Sequence, residues 1–207
     1  MLEGLFGKAK YVVTTKELID NKTLSELSIN CIVLKYPDED RQIVKEFDYG
    51  TELEFIVTKK ERNIFLRNLV GHCNGNTLCL FQFVEKHGEP LYNIINDKYK
   101  DRKVFFVYGG VSTDTREEIR EIVENETDAI IVASYGTFST GINIRNIDNI
   151  VFASPSKSKI RVLQSLGRGL RLGDKSKSLK VFDLADDLTS ESSRLNFTLR
   201  HFQQRLN

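Results

Sequence analysis

The chain has 207 residues, 40% of them hydrophobic, and its 30 Lys and Arg are nearly balanced by 29 Asp and Glu. This length and apolar content exclude a disordered tail and suffice for one ordinary hydrophobic core with a small appendage. No stretch approaches the roughly 18 consecutive apolar residues of a membrane span, and the start MLEGLFGKAK lacks the apolar region of a secretory signal, so a cytoplasmic protein without a membrane partner is expected. Three cysteines, an odd number, fit free thiols in a reducing compartment, and Cys73 and Cys79, with no second pair, do not have zinc-site spacing.

In chain order, Glu17 to Leu27 reads as a short helical or turn element and Asn30 to Tyr36 as a β-run ended by Pro37. Glu39 to Glu54 is charged and carries no strong period. These features place a lead-in at residues 1–45 and a compact domain at 46–207. From about Glu61 onward short β-rich apolar runs alternate with amphipathic segments, the pattern of βα units around a parallel sheet, so the expected class is α/β. Candidate strands are Thr77 to Phe83, Lys103 to Tyr108, Ala129 to Ser134, Asn149 to Ala153 and Leu179 to Leu184. Helices are expected over Thr113 to Glu124, with Asp114 or Thr113 able to cap it, and over Lys159 to Leu170 and Arg194 to Leu206.

The near-neutral total charge conceals a separation along the chain. Residues 101–150 carry five basic and nine acidic residues, whereas residues 151–207 carry eleven and five. Between Pro155 and Lys180 eight Lys and Arg face only Asp174, the charge distribution that a phosphate-binding surface requires; a solvated basic helix face is the plainer alternative. Ligands of open parallel sheets sit beyond the carboxyl ends of the strands, so the segments following each strand hold the candidate chemistry. One of them, Ser134-Tyr-Gly-Thr-Phe-Ser-Thr-Gly-Ile-Asn143, reads as a loop rich in hydroxyl and backbone donors. Another is Gln164-Ser-Leu-Gly-Arg-Gly-Leu-Arg171. On a helix its Gln164, Arg168 and Arg171 share one face while Ile160, Leu163, Leu166 and Leu170 form an apolar stripe. Guanidinium groups held in this way suit a triphosphate, because they stay ionised and bond phosphate oxygens bidentately.

The Gln-x-x-Gly-Arg-x-x-Arg pattern at 164–171 and the Ser-Thr-Gly-Ile-Asn run at 139–143 resemble motifs VI and V of superfamily 2 helicases. Strand Leu78 to Phe83 with Val84-Glu-Lys-His-Gly88 resembles motif IV, and Tyr108-Gly-Gly110 resembles the element after the next strand. The resemblance extends from about Asn76 to Leu184 and is greatest to phage-type repair and recombination helicases. It implies a RecA-like parallel sheet flanked by helices, the carboxyl-terminal of two motor domains, with residues 1–45 as interdomain lead-in and the tail of the preceding domain. It further implies arginine fingers at Arg168 and Arg171 and a nucleotide-sensing Gln164. Gly141 and Asn143 would line the nucleotide side; Ser134, Thr137 and Gly109 would contact the nucleic-acid backbone. ATP with Mg²⁺ is the implied cofactor and branched or forked DNA the implied partner, together with an amino-terminal RecA-like domain supplied in cis or in trans.

The sequence carries no Gly-x-x-x-x-Gly-Lys-[Ser/Thr] phosphate loop; Gly4 to Lys8 has the wrong spacing. ATP and magnesium are therefore expected to be held mainly by the other half, and this chain alone is expected to hydrolyse ATP poorly or not at all. Asp38-Glu-Asp40 imitates an acidic magnesium motif, but Lys35-Tyr36-Pro37 intervenes after the apolar run. His72, His87 and His201 are widely spaced and read as packing or surface residues, and Phe81, Phe83, Phe105, Phe106 and Phe152 read as core. A stand-alone nucleic-acid- or partner-binding module, half of an RNA helicase and an unrelated doubly wound α/β protein are the competing readings.

Overall fold

A computed structural model describes residues 27–140, 144, 146–156, 178–189 and 195–206. The five-residue runs TLCLF and IIVAS and the run NIVF have no polar alternation, as strands covered on both faces should, and they form β2 (Thr77–Phe81), β4 (Ile130–Ser134) and β5 (Asn149–Phe152). With β1 (Leu27–Lys35), β3 (Val104–Val107) and β6 (Leu179–Asp187) they build a six-stranded sheet of order β1-β6-β5-β2-β4-β3 in which every pairing is parallel. This is the expected α/β class.

Helices α1 (Asp38–Val44), α2 (Tyr49–Thr58) and α3 (Lys60–His72) lie between β1 and β2, and α4 (Glu89–Lys98) between β2 and β3. They are followed by α5 (Thr113–Glu124), α6 (Tyr135–Thr140) and α7 (Phe197–Leu206). Leu66 and Val70 of α3 and Leu91 and Ile95 of α4 pack on Cys79, Phe81 and Val132. Val123 of α5 and Phe138 of α6 belong to the core on the opposite face, with Leu78, Leu80 and Ile131. The sheet is thus sandwiched between two helical layers. The cap of α5 is Ser112, whose Oγ accepts from the Thr115 N–H at 3.1 Å, one residue ahead of the expected Thr113 and two ahead of Asp114. Among the described residues no helix is long and apolar enough to cross a membrane.

The sheet and its packing run across the boundary expected at residues 45–46. β1 pairs with β6 along its full length, from Leu27 opposite Leu179 to Lys35 opposite Asp187, and α1 packs Val44 against Ile56 and Leu188. Residues 27–44 are therefore part of the packed body. The charged segment 39–54 conceals two helices because several of its inward positions are polar: Asp40 and Glu52 are both buried.

The two edges of the sheet are fastened by different chemistry. At the amino edge Asn76, fully buried, receives the Ala129 N–H on Oδ1 at 2.8 Å and donates from Nδ2 to the carbonyls of Glu126 and Asn146 at 2.7 and 2.8 Å. Gly75, at φ +92°, makes the turn that delivers it, a conformation L side chains rarely adopt. At the carboxyl edge Arg62 donates from Nε and Nη2 to Asp186 at 2.7 and 3.1 Å, and from Nη1 to the Ala153 carbonyl at 2.7 Å, while the Tyr36 hydroxyl donates to Asp186 at 2.8 Å. Both ionic side chains are essentially inaccessible, at 1% and 0%. Asp186→Ala strands the guanidinium and is expected to cost about 3–5 kcal/mol of stability, whereas the paired replacement Arg62→Met with Asp186→Leu should cost less. Urea unfolding of the three proteins measures this, and an unchanged midpoint in Asp186→Ala would refute it.

Candidate nucleotide and nucleic-acid interface

Parallel pairing opens all the strands' carboxyl ends on one edge. Phe81 is opposite Ser134 and Val107 opposite Ala133, so the segments after β2, β3 and β4 leave the sheet side by side. The expected motif IV segment forms a wide helical turn over Val84–Gly88, closed by the Gly88 N–H donating to the Phe83 carbonyl at 2.8 Å. A Cβ at Gly88 would lie 2.4 Å from the ring of Phe81, so only glycine lets this turn rest on the core. The turn drives His87 inside, where it is fully buried.

Hydrogen bonding fixes the state of His87. The Asn63 amide donates to the Val57 carbonyl at 2.9 Å, which leaves Asn63 Oδ1 to accept from His87 Nε2 at 3.2 Å. Nδ1 then accepts from the Ser154 hydroxyl at 2.8 Å, and Ser154 Oγ itself accepts from the Gln82 N–H at 3.0 Å. Burial, and then the charge of Arg62, lower the pKa of His87 to about 3. The imidazole is neutral and serves packing, as its isolation in the sequence suggested.

After β3, residues 108–111 form a turn whose Gly109 and Val111 carbonyls accept from Arg116 at 3.1 and 2.9 Å. Gly109 is exposed, and a Cβ there would meet no atom within 4 Å. The ring of Tyr108 rests on Phe106, which stacks with Phe81 and Tyr92, so the turn is rooted in the core.

After β4 the expected loop begins as helix α6. Ser134 starts it: its Oγ lies 2.8 Å from Thr137 Oγ1 and accepts from the Thr137 N–H at 3.3 Å. Ser134 is half-buried and Thr137 buried, so the two predicted residues are brought together with Ser134 as the more accessible member. Tyr135, beside them, donates its hydroxyl to the Ser154 carbonyl at 2.8 Å. Gln164, Arg168, Arg171, Gly141 and Asn143 lie outside the described residues.

Sequence reasoning overlooked Tyr135, Ser154 and Asn63, which join these segments. Asn63 falls in no motif; Tyr135 lies within the hydroxyl-rich segment 134–143 but carries no role there, and the partner it meets is a backbone carbonyl, which no residue type announces. Asp40, of the acidic triplet, is bound by Lys59 at 2.7 Å. Among the described residues no group of three His, Cys, Asp or Glu is arranged to hold a metal.

The depressed pKa of His87 has a consequence for stability. Below the unfolded value of about 6.5 the unfolded chain takes up a proton that the folded chain refuses down to about pH 3, so stability is complete above pH 6.5 and declines on acidification. The expected slope from this group is about 1.4 kcal/mol per pH unit, and His87→Gln should flatten it between pH 5 and 6.5. Urea unfolding as a function of pH tests this; equal slopes in both proteins would show that His87 is protonated while buried.

A family model described as the helicase conserved C-terminal domain matches residues 61–173. Over 96% of its length the chain is 36% identical to the ATP-dependent DNA helicase uvsW of Enterobacteria phage T4, and over 83% it is 25% identical to the putative ATP-dependent helicase IRC3 of Saccharomyces cerevisiae. It spans 41% and 25% of the lengths of these relatives. The crystal structure of T4 UvsW superposes with a TM-score of 0.74 at 37% identity, covering 88% of this chain and 39% of that one. The parallel sheet, the segments gathered at its carboxyl edge and these matches together establish that the chain belongs to the helicase conserved C-terminal domain family, with the RecA-like fold of superfamily 2 helicases.

Proposed function

We propose that this chain is the second motor domain of an ATP-dependent superfamily 2 DNA helicase or translocase acting on branched DNA in recombination and repair. The observation that carries the reading is the 36% identity sustained over 96% of the chain to a phage protein named as an ATP-dependent DNA helicase. In this reading Arg168 and Arg171 reach the γ-phosphate of ATP bound to a phosphate-loop half, Gln164 senses that nucleotide, and Gly141 and Asn143 line its near side. As its bond to the β-phosphate breaks and water attacks, the transferred phosphoryl group carries charge on its outer oxygens, and two permanently ionised guanidinium groups stabilise that charge. Guanidinium groups cannot ligate Mg²⁺, which takes oxygen ligands, so in this reading the metal is held with the triphosphate on the phosphate-loop half.

On the other side, Ser134 and the exposed Gly109, whose Cα faces open space, offer neutral contacts to sugar and phosphate, which position a strand without reading its bases. Thr137, being buried, acts by orienting the Ser134 hydroxyl. Closure of the cleft between the two motor domains would couple hydrolysis to movement along the strand. The basic excess between Pro155 and Lys180 supports a phosphate-facing surface.

With the phosphate-loop half joined, Arg168→Ala or Arg171→Ala is expected to lower DNA-stimulated ATPase by roughly 10³- to 10⁵-fold, and wild-type turnover in either variant would remove the finger assignment. Gly109→Ala is expected to leave the thermal midpoint of the chain unchanged, since its methyl enters open space, while weakening single-stranded DNA binding several-fold. Binding to forked, single-stranded and duplex DNA at several salt concentrations measures this. Affinity that ignores both salt and the substitution would favour the partner-binding module instead.

A further inference from the structure

The turn that enters β2 combines a reactive sequence with a geometry that leaves it free to react. Asn74-Gly75 is the one Asn-Gly pair in the chain. Both of its carbonyls are held: Asn149 Nδ2 donates to that of Asn74 at 2.8 Å, and Thr77 Oγ1 and Arg102 Nη2 donate to that of Gly75 at 3.2 and 3.3 Å. Its other polar groups are not. Asn74 is exposed, and among the described residues its carboxamide has no hydrogen-bond partner and the Gly75 N–H has no acceptor. Gly75, at φ +92°, carries no side chain to shield that N–H. Nearby asparagines lack this combination. Asn76 is fully buried with both ends of its carboxamide bonded, and the Thr77 N–H that follows donates to the Ala129 carbonyl at 2.8 Å. Asn125 is exposed, but its Nδ2 donates to the Glu121 carbonyl at 2.8 Å and the following Glu126 N–H to the Val123 carbonyl at 3.1 Å.

We infer that Asn74 is a site of spontaneous modification, at which the Gly75 nitrogen closes on the Asn74 carboxamide and the main chain ages to isoaspartate. The Gly75 amide gives its proton to solvent base and its nitrogen bonds to Asn74 Cγ; the Cγ–Nδ2 bond breaks, and Nδ2 takes up a proton and leaves as ammonia. The resulting five-membered succinimide adds one water. Opening at one carbonyl gives aspartate; opening at the other gives isoaspartate, whose main chain runs through Cβ and Cγ and is longer by one methylene. Nothing is oxidised or reduced. This turn has no slack for the added length. A Cβ at Gly75 would lie 2.5 Å from Asp148 Oδ2, and the same oxygen accepts the Asn76 N–H at 2.9 Å. Lengthening the turn therefore draws Asn76 away from Ala129, Glu126 and Asn146, the groups it fastens at the amino edge of the sheet. That edge is opposite the one carrying the proposed motor chemistry, and the inference does not depend on it.

The test is timed incubation of the full chain at physiological temperature and neutral to mildly alkaline pH, natively and in urea, followed by peptide mapping and methyltransferase labelling of isoaspartate. Asn74 is expected to gain about one dalton, the exchange of NH₂ for OH, faster as pH rises, while Asn76 and Asn125 stay intact in the native protein. Because the reacting groups need no local opening, the native rate should lie within about tenfold of the rate in urea. The aged fraction should melt roughly 2–10 °C lower, the loss expected from leaving a buried polar group of Asn76 unpaired. Asn74→Gln, which would have to close a six-membered ring, should stay unmodified and keep its midpoint through the same incubation. Asn74→Asp, freshly purified, adds the charge without the methylene and should melt with fresh wild type. An Asn74 that stays intact natively while the urea-unfolded chain converts overturns the inference. Conversion with an unchanged midpoint, or a fresh Asn74→Asp that melts as low as the aged protein, overturns the effect assigned to chain lengthening. An equal fall in incubated Asn74→Gln places the damage at another residue and overturns it as well.

Discussion

Arg62 is 3% exposed and cannot shed its charge, so each part of its guanidinium needs an acceptor, and those acceptors decide what stands where at the carboxyl edge. Asp186 takes two of its donors and Ala153 the third. Helix α3 is thereby bound to β5 and β6 at once, and through the Tyr36 hydroxyl on Asp186 to the end of β1. The same charge dictates its neighbour's chemistry: a protonated His87 beside it would add a second buried cation, and His87 stays neutral. A neutral ring can accept from Ser154 and donate to Asn63, and it does both.

A second buried carboxylate extends this arrangement through backbone, hydroxyl and amide donors. Glu52, 1% exposed, accepts from the N–H groups of Phe197 and Thr198 at 2.9 and 2.7 Å, and from the Thr198 hydroxyl and the Asn196 amide. It is solvated by the start of α7, where the helix dipole favours negative charge. Helix α7, so anchored to α2, carries Arg205 across β6 to Asp183 at 2.7 Å and onto the Ser156 carbonyl. Two charges far apart in sequence thus converge on the same short exit from β5.

These buried charges also explain which elements the sequence disclosed. The strands at the sheet centre are unbroken apolar runs and were readable within one or two residues, and α5 ended where its acidic amphipathic pattern ended. Helices α2 and α3 turn Glu52, Arg62 and Asn63 inward among Leu53, Ile56, Leu66 and Val70, so their inward stripe reads as charge and their period is lost. The hydroxyl pair of Ser134 and Thr137 stood out as a cluster. The grip of Tyr135 on a carbonyl had no such signature, because half of the contact is backbone.

The partnership of β1 with β6 also bears on how the molecule is made. The first described strand finds its neighbour in the last, and the Tyr36–Asp186 bond joins residues 150 positions apart. A ribosome emits β1 long before β6, so during synthesis the edge of this strand that β6 will cover stays unpaired while β2 to β4 acquire their neighbours. Closing so long a loop is slow, and an unpaired strand is a template for the wrong partner. Ile29 and Val33, exposed even in the finished fold, add apolar surface to that unpaired edge.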